Sequence, residues 1–143
     1  MRRFPSGISV LTVPLPYGVT IGSLVSLSLE PALVGVSIGH AAQAHELVRD
    51  ARRFAVSVLA ADQDALAQHF ARSVPPIAQW DGIPVRESAF GPLLEGSLAW
   101  LRCTLRSEHE AGDHTFFVAA VEEVELGRTG PGLVYREGGY HPA

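Results

Sequence analysis

Residues able to do chemistry are sparse in this chain of 143, and most of their spacings lead nowhere. His109-Glu110 followed by His114 resembles a zinc-protease pattern at a glance. The two histidines stand five apart rather than four, so they would not share a helix face, and Gly112-Asp113 between them breaks a helix. His40 and His45 have the same five-residue spacing. No metal site is expected. Serines are many, but none sits in a Gly-x-Ser-x-Gly elbow. No Gly-x-Gly-x-x-Gly joins a strand to a helix, and a chain without lysine has no Walker-type Gly-Lys-Ser.

Two stretches remain. In EAGDHTFFVAAVEEVEL, residues 110–126, a glycine turn runs straight into a long apolar strand and sets His114 at the joint. Taken alone, this is a strand-end histidine that hydrogen-bonds its own turn. In Ser37-Ile38-Gly39-His40-Ala41-Ala42-Gln43-Ala44 a strand ends at a glycine and a helix begins. Free N–H groups at a helix start favour an anion, and Ala41, Ala42 and Ala44 would let a ligand come close. Many such joints bind nothing.

The elements that must position these residues follow from periodicity. Ile8 to Val13 is a β-branched, apolar strand, and residues 14–18, with Pro14, Pro16 and Gly18, form a turn. Val19 to Leu29 alternates, with Val25, Leu27 and Leu29 on one side and Ser26 and Ser28 on the other, the mark of a half-buried strand. Pro31 ends it, and Leu33 to Ile38 is the next strand. Ala41 to Arg53 carries a helical stripe through Ala44, Leu47, Val48 and Ala51. His45 and Glu46 are expected on its solvated face. Phe54 to Leu59 is a strand, and Asp62 is placed to cap a second helix that runs through Ala71.

Residues 73–97, with Pro75, Pro76, Pro84 and Pro92 among several glycines, are expected as a long loop. Ser97 to Glu108, His114 to Leu126 and Leu133 to Arg136 complete the strands. Consecutive strands with few helices exclude a doubly wound sheet. They indicate a mainly β protein, an antiparallel barrel with two flanking helices, as one domain over residues 1–143. Trp80 and Trp100 are expected as core or loop anchors.

Composition narrows the function classes. The chain is 47% hydrophobic with mean hydropathy +0.18, so it folds as a globule. Its net charge of −4 argues against a broad nucleic-acid footprint. The uncharged run from Phe4 to Leu29 is broken by prolines and hydroxyl residues, so it suits a hairpin rather than a membrane helix. One cysteine, Cys103, permits no internal disulfide; it fits a cytoplasmic setting and reads as a small buried hydrophobe.

Five segments in order resemble the flavin reductase-like, FMN-binding split-barrel family, known from the reductase components of two-component flavin-dependent monooxygenases. They are residues 3–12, RFPSGISVLT; 20–31, TIGSLVSLSLEP; 54–59, FAVSVL; Gly112-Asp113-His114-Thr115; and Leu133-Val134-Tyr135 with Gly139-Tyr140. The resemblance covers nearly the whole chain. It implies an antiparallel split barrel and a homodimer with flavin in a groove near the interface. It implies an NAD(P)H:flavin oxidoreductase that moves hydride from NADH or NADPH to FMN or FAD and can supply a monooxygenase. An FMN-holding electron carrier and a non-catalytic flavin-binding module are the alternatives.

On that resemblance, Thr20, Ile21, Gly22 and Ser23 would line the flavin ring. Ser37, His40, Gln43 and Ala44 would lie at the phosphate, with Arg72 adding a cation. His114 would meet the nicotinamide or the reacting flavin face, and Tyr140 would close the pocket. The chain departs from the family where Gly22 replaces a usual Asn and where His40-Ala41-Ala42-Gln43-Ala44 replaces a Ser/Thr run with an Arg. Weaker flavin affinity is therefore expected.

Overall fold

A computed structural model describes residues 1–72 and 74–143. The chain runs β1 (Ser6–Gly7), β2 (Ser9–Val13), β3 (Tyr17–Ile21), β4 (Val25–Leu29), β5 (Ala32–Gly39), α1 (Gln43–Ala51), β6 (Arg53–Val58), α2 (Asp64–Ala71) and α3 (Pro76–Gln79). It continues through β7 (Val85–Arg86), β8 (Leu93–Leu94), β9 (Ala99–Ala111), β10 (His114–Leu126), β11 (Leu133–Arg136) and β12 (Gly139–Pro142). Seven strands form one antiparallel sheet in the order β3-β2-β6-β9-β10-β5-β4. Its two edge strands, β3 and β4, follow each other in the chain, so the sheet curls until its ends meet at residues 22–24. The Ser23 hydroxyl pins that closure, donating to the Ser37 carbonyl and accepting from the Ser37 N–H, each at 3.0 Å.

The barrel interior explains the apolar runs. Leu11, Val36, Phe54, Val56, Cys103 and Phe117 fill it, and Ala44 and Val48 of α1 pack onto the same cluster. Burying a side chain such as Phe54 stabilises the fold by about 2–3 kcal/mol. Outside, Ile8, Val10, Leu59 and Leu133 pack with Ala67 and Phe70 of α2. Strand β2 is buried on both faces for this reason, with Ser9 and Thr12 buried beside its three apolar residues, and the Thr12 hydroxyl donates to the Pro92 carbonyl at 2.8 Å. Burial pushes the Cys103 thiol up to about 12, so the side chain is the inert hydrophobe its setting predicts.

Several expectations are corrected. The predicted strand over Val19 to Leu29 is two strands at opposite edges of the sheet, divided at Gly22–Leu24 by the barrel closure. Val25, Leu27 and Leu29, expected on a half-buried face, are 42%, 45% and 90% exposed in the single chain. Helix α1 starts at Gln43, with Ala42 as its N-cap. Asp62 does not cap α2; it pairs with Arg128, and Gln63 takes the N-cap position while its Oε1 accepts the Ala60 N–H at 2.9 Å. The segment expected as a loop holds α3 and the β7–β8 hairpin, while Ser73, at its start, lies outside the described residues. Strand β9 runs past Glu108 to Ala111, and β1 and β12 add to the predicted count. Both tryptophans are anchors: Trp80 Nε1 donates to the Pro16 carbonyl at 3.2 Å and Trp100 Nε1 to the Leu94 carbonyl at 2.8 Å.

Candidate functional site

Two adjoining hollows form one groove at the barrel mouth, joined where Val19 and Ala42 line both. The first, about 320 Å3, is bounded by Thr20 to Ser23 at the end of β3, by Ser37 to Gly39 of β5, and by His114. The second, about 500 Å3, lies between the start of α1 at Ala41 to Gln43 and the residues Phe70 to Arg72 and Val74 to Pro76.

Local geometry explains each wall. Gly112, with φ +64°, takes the left-handed conformation that the tight turn between β9 and β10 needs. That turn brings His114 opposite Gly39 in the β10–β5 ladder. The Asp113 carboxylate holds His114 Nδ1 at 2.7 Å, which leaves Nε2 as the free ring nitrogen. This hydrogen bond keeps the Asp113 carboxyl below its ordinary value. A Cβ built on Gly39 would lie 3.7 Å from His114 Nε2, so the missing side chain opens the wall beside the imidazole. On the opposite wall, the Thr20 hydroxyl donates to the Ala67 carbonyl at 2.6 Å and ties β3 to α2.

At the far end, the N-cap Ala42 makes no side-chain capping bond to α1. The first N–H groups of a helix lack the usual partner within it; that of His45 donates to the Ala42 carbonyl at 3.1 Å, and no side chain caps those of Gln43 and Ala44 from the N-cap position. Arg72, the C-cap of α2, stands across the same hollow. Helix donors without a side-chain cap and an arginine lining the same space are a setting for an anion.

The structure therefore brings Thr20, Ile21, Gly22, Ser23, Ser37 and His114 to one end of the groove, and Gln43 and Arg72 to the other. Three predicted residues lie elsewhere. The Ala44 side chain is buried in the core, so only its backbone could reach a ligand. His40 turns away to Glu110, with Nε2 at 2.9 Å from Oε2. Tyr140 packs on Tyr135 with ring centroids 5.1 Å apart, beside the outer core cluster, where burial pushes its phenol up. His45 is also misplaced by the helical stripe. It is 6% exposed, with Nε2 at 2.7 Å from the Thr115 hydroxyl and Nδ1 at 3.0 Å from Glu46. Its five-residue offset from His40 was visible in the sequence, but nothing local showed that β10 would cover that face. Among the described residues, no cluster of three or more potential ligands could hold a metal ion.

The whole chain, residues 1–143, matches the family described as flavin reductase like domain. The chain belongs to the flavin reductase like family. It is 38% identical over 143 residues to the reductase component of 4-hydroxyphenylacetate 3-monooxygenase from Thermus thermophilus, covering 98% of this chain and 90% of that one. It is 40% identical over 124 residues to an NADH-dependent FAD reductase of Streptomyces globisporus, covering 82% of this chain and 68% of the relative. The solved structure of the Streptomyces globisporus NADH:FAD oxidoreductase with NAD and FAD fragments superimposes with a TM-score of 0.91 at 34% identity, over 97% of this chain and 86% of that one. The split barrel expected from the sequence is thus the observed fold. A flavin fits the groove of this family member on its own chemistry. The first hollow is walled by backbone at Gly22 and Gly39, and the second presents the uncapped α1 donors and Arg72.

Proposed function

We propose that this protein is an NAD(P)H:flavin oxidoreductase that transfers hydride from NADH or NADPH to FMN or FAD and supplies the reduced flavin to a partner monooxygenase. The observation that carries the reading is the single groove with His114 at one end and an anion setting at the other. The names of the relatives support it. A bound flavin supplies the electron-pair acceptor for the hydride. The chain's own residues do the rest. Thr20 to Ser23 and Ser37 to Gly39 hold the ring system between two strands. The α1 donors, Gln43 and Arg72 hold the phosphate. His114, fixed at Nδ1 by Asp113, orients the incoming nicotinamide through its free Nε2. His40 and Tyr140 have no direct contact in this reading. The phosphate has only backbone, amide and guanidinium partners, which favours a flavin that exchanges over one held permanently.

Residues 1–143 act as one domain, and two copies form a homodimer. Its support is β4, an edge strand with an open ladder and exposed Val25, Leu27 and Leu29, a surface that a second copy would cover. The one buried, free thiol suits a reducing cytoplasm. Among the described residues no helix is long and apolar enough to cross a membrane.

The test is NADH oxidation by purified protein with FMN or FAD added. Many turnovers that depend on added flavin support the reductase. A flavin that copurifies and turns over slowly indicates an electron carrier instead. No oxidation of NADH or NADPH with either flavin overturns the reading.

A further inference from the structure

Next to the groove, but outside it, a chain of polar side chains links four elements. His45 of α1 meets the Thr115 hydroxyl of β10 at 2.7 Å. Thr115 donates to Glu110 Oε1 of β9 at 3.2 Å. Glu110 Oε2 meets His40 Nε2, in the β5–α1 link, at 2.9 Å. The Thr115 hydroxyl stands between two partners, the Glu110 carboxylate and His45 Nε2, while His45 Nδ1 meets the Glu46 carboxylate at 3.0 Å. The chain closes on itself, because the His40 and His45 rings stack edge to face at 5.2 Å.

Its position suggests its purpose. His114 and Gly39 are cross-strand neighbours in the β10–β5 wall of the groove's reacting end. Each is followed in sequence by a member of the chain, Thr115 and His40. Strand β9 has left β6 behind after Thr104 and overhangs as an edge through Ala111, where β10 is its ladder partner and Arg49 of α1 pairs with Glu108 at 3.0 Å. Glu110 ties that overhang to Thr115 and His40, the residues that follow His114 and Gly39. His45 anchors the whole set from beneath, beside Phe117 at 5.6 Å between ring centroids. A leucine would fill that apolar place at a lower desolvation cost, so packing alone does not call for an imidazole there.

We propose that His45 is a positioning residue for hydride transfer, setting His114 through the chain His45–Thr115–Glu110–His40. The proposal rests on the reading that His114 meets the nicotinamide. A displacement of about 1 Å in a positioned group costs up to ~100-fold in rate, so loss of the anchor should slow hydride transfer roughly tenfold.

A double-mutant cycle tests this, with hydride transfer followed by rapid mixing at saturating NADH and FMN. His45→Leu and Thr115→Val are made in the wild-type chain and in His114→Ala. Both are expected to slow transfer about tenfold in the first background and by less than about twofold in the second, since a residue acting through His114 has nothing left to position. His45→Gln keeps a hydrogen-bonding group near Nε2 and is expected to restore most of the rate. Flavin affinity should stay within about twofold in all of them. Should His45→Leu fail to fold, the shape-preserving Thr115→Val carries the cycle. Equal slowing in both backgrounds, or no slowing by either variant, overturns the proposal. A wild type without hydride transfer, or a His114→Ala variant as fast as wild type, removes the functional reading itself and this inference with it.

Discussion

Arg72 stands where α2 ends and the backbone turns extended, and it lines the hollow that the α1 N-terminus opens into. A guanidinium on a phosphate makes charge-assisted hydrogen bonds, partly screened at an exposed site. Arg72→Ala is therefore expected to weaken FMN binding by about five- to tenfold at low salt, with a smaller loss at high salt and an unchanged turnover number. Arg72→Lys should recover part of the affinity, keeping the charge without the fork. Fluorescence titration of FMN at two ionic strengths checks this; salt-independent affinity in Arg72→Ala and wild type alike would remove Arg72 from the site. Arg72 could be suspected from the sequence only because a cation followed a predicted helix. That it faces the start of α1 depends on how both helices lie against β3, which no local pattern encodes.

Helix α3 is four residues long, yet it fixes a wall of the groove through Gln79. The Gln79 amide is fully buried; its Nε2 donates to the Gly18 carbonyl at 2.7 Å and its Oε1 accepts the Gly18 N–H at 2.9 Å. Strand β3 is a sheet edge, and this side chain satisfies the backbone groups that a neighbouring strand would otherwise take. His69 Nε2 meets the Gln79 carbonyl at 2.7 Å and ties α2 into the same joint. Gln79→Leu leaves both Gly18 groups unpaired and is expected to destabilise the fold by about 2–4 kcal/mol, read as a lower urea midpoint. It should also weaken flavin binding, because Val74 to Pro76 follow the joint. A variant with an unchanged midpoint would show that water replaces the clamp. Prolines and glycines made residues 73–97 look like a loop, and α3 within that range is held by a contact 61 positions away in sequence. Local propensity cannot report that. By contrast, β10 was read with its full extent, His114 to Leu126, because the turn at Gly112-Asp113 and a long apolar run define it locally.

At the scale of the molecule, β4 is the element whose sequence and surroundings disagree. Alternating Val25, Leu27 and Leu29 announce a buried face, and the single chain leaves it open. If a second copy covers it, Leu27→Lys is expected to convert dimer to monomer in sedimentation experiments, since a charge in an apolar interface core costs several kcal/mol. A variant that still sediments as a dimer would place the interface elsewhere. The sequence by itself determined the strand-rich class, the His114 turn, the strand-to-helix joint at Ser37 to Ala44, and the inertness of Cys103. Each follows from short-range rules: alternation, turn residues and apolar runs. Only the tertiary structure decided that one predicted strand becomes the two edges of a closing barrel. The same folding buries His45 under β10 and removes Ala44, His40 and Tyr140 from the groove. Those outcomes depend on which surfaces meet when the sheet curls, and that is set by packing between residues far apart in the chain.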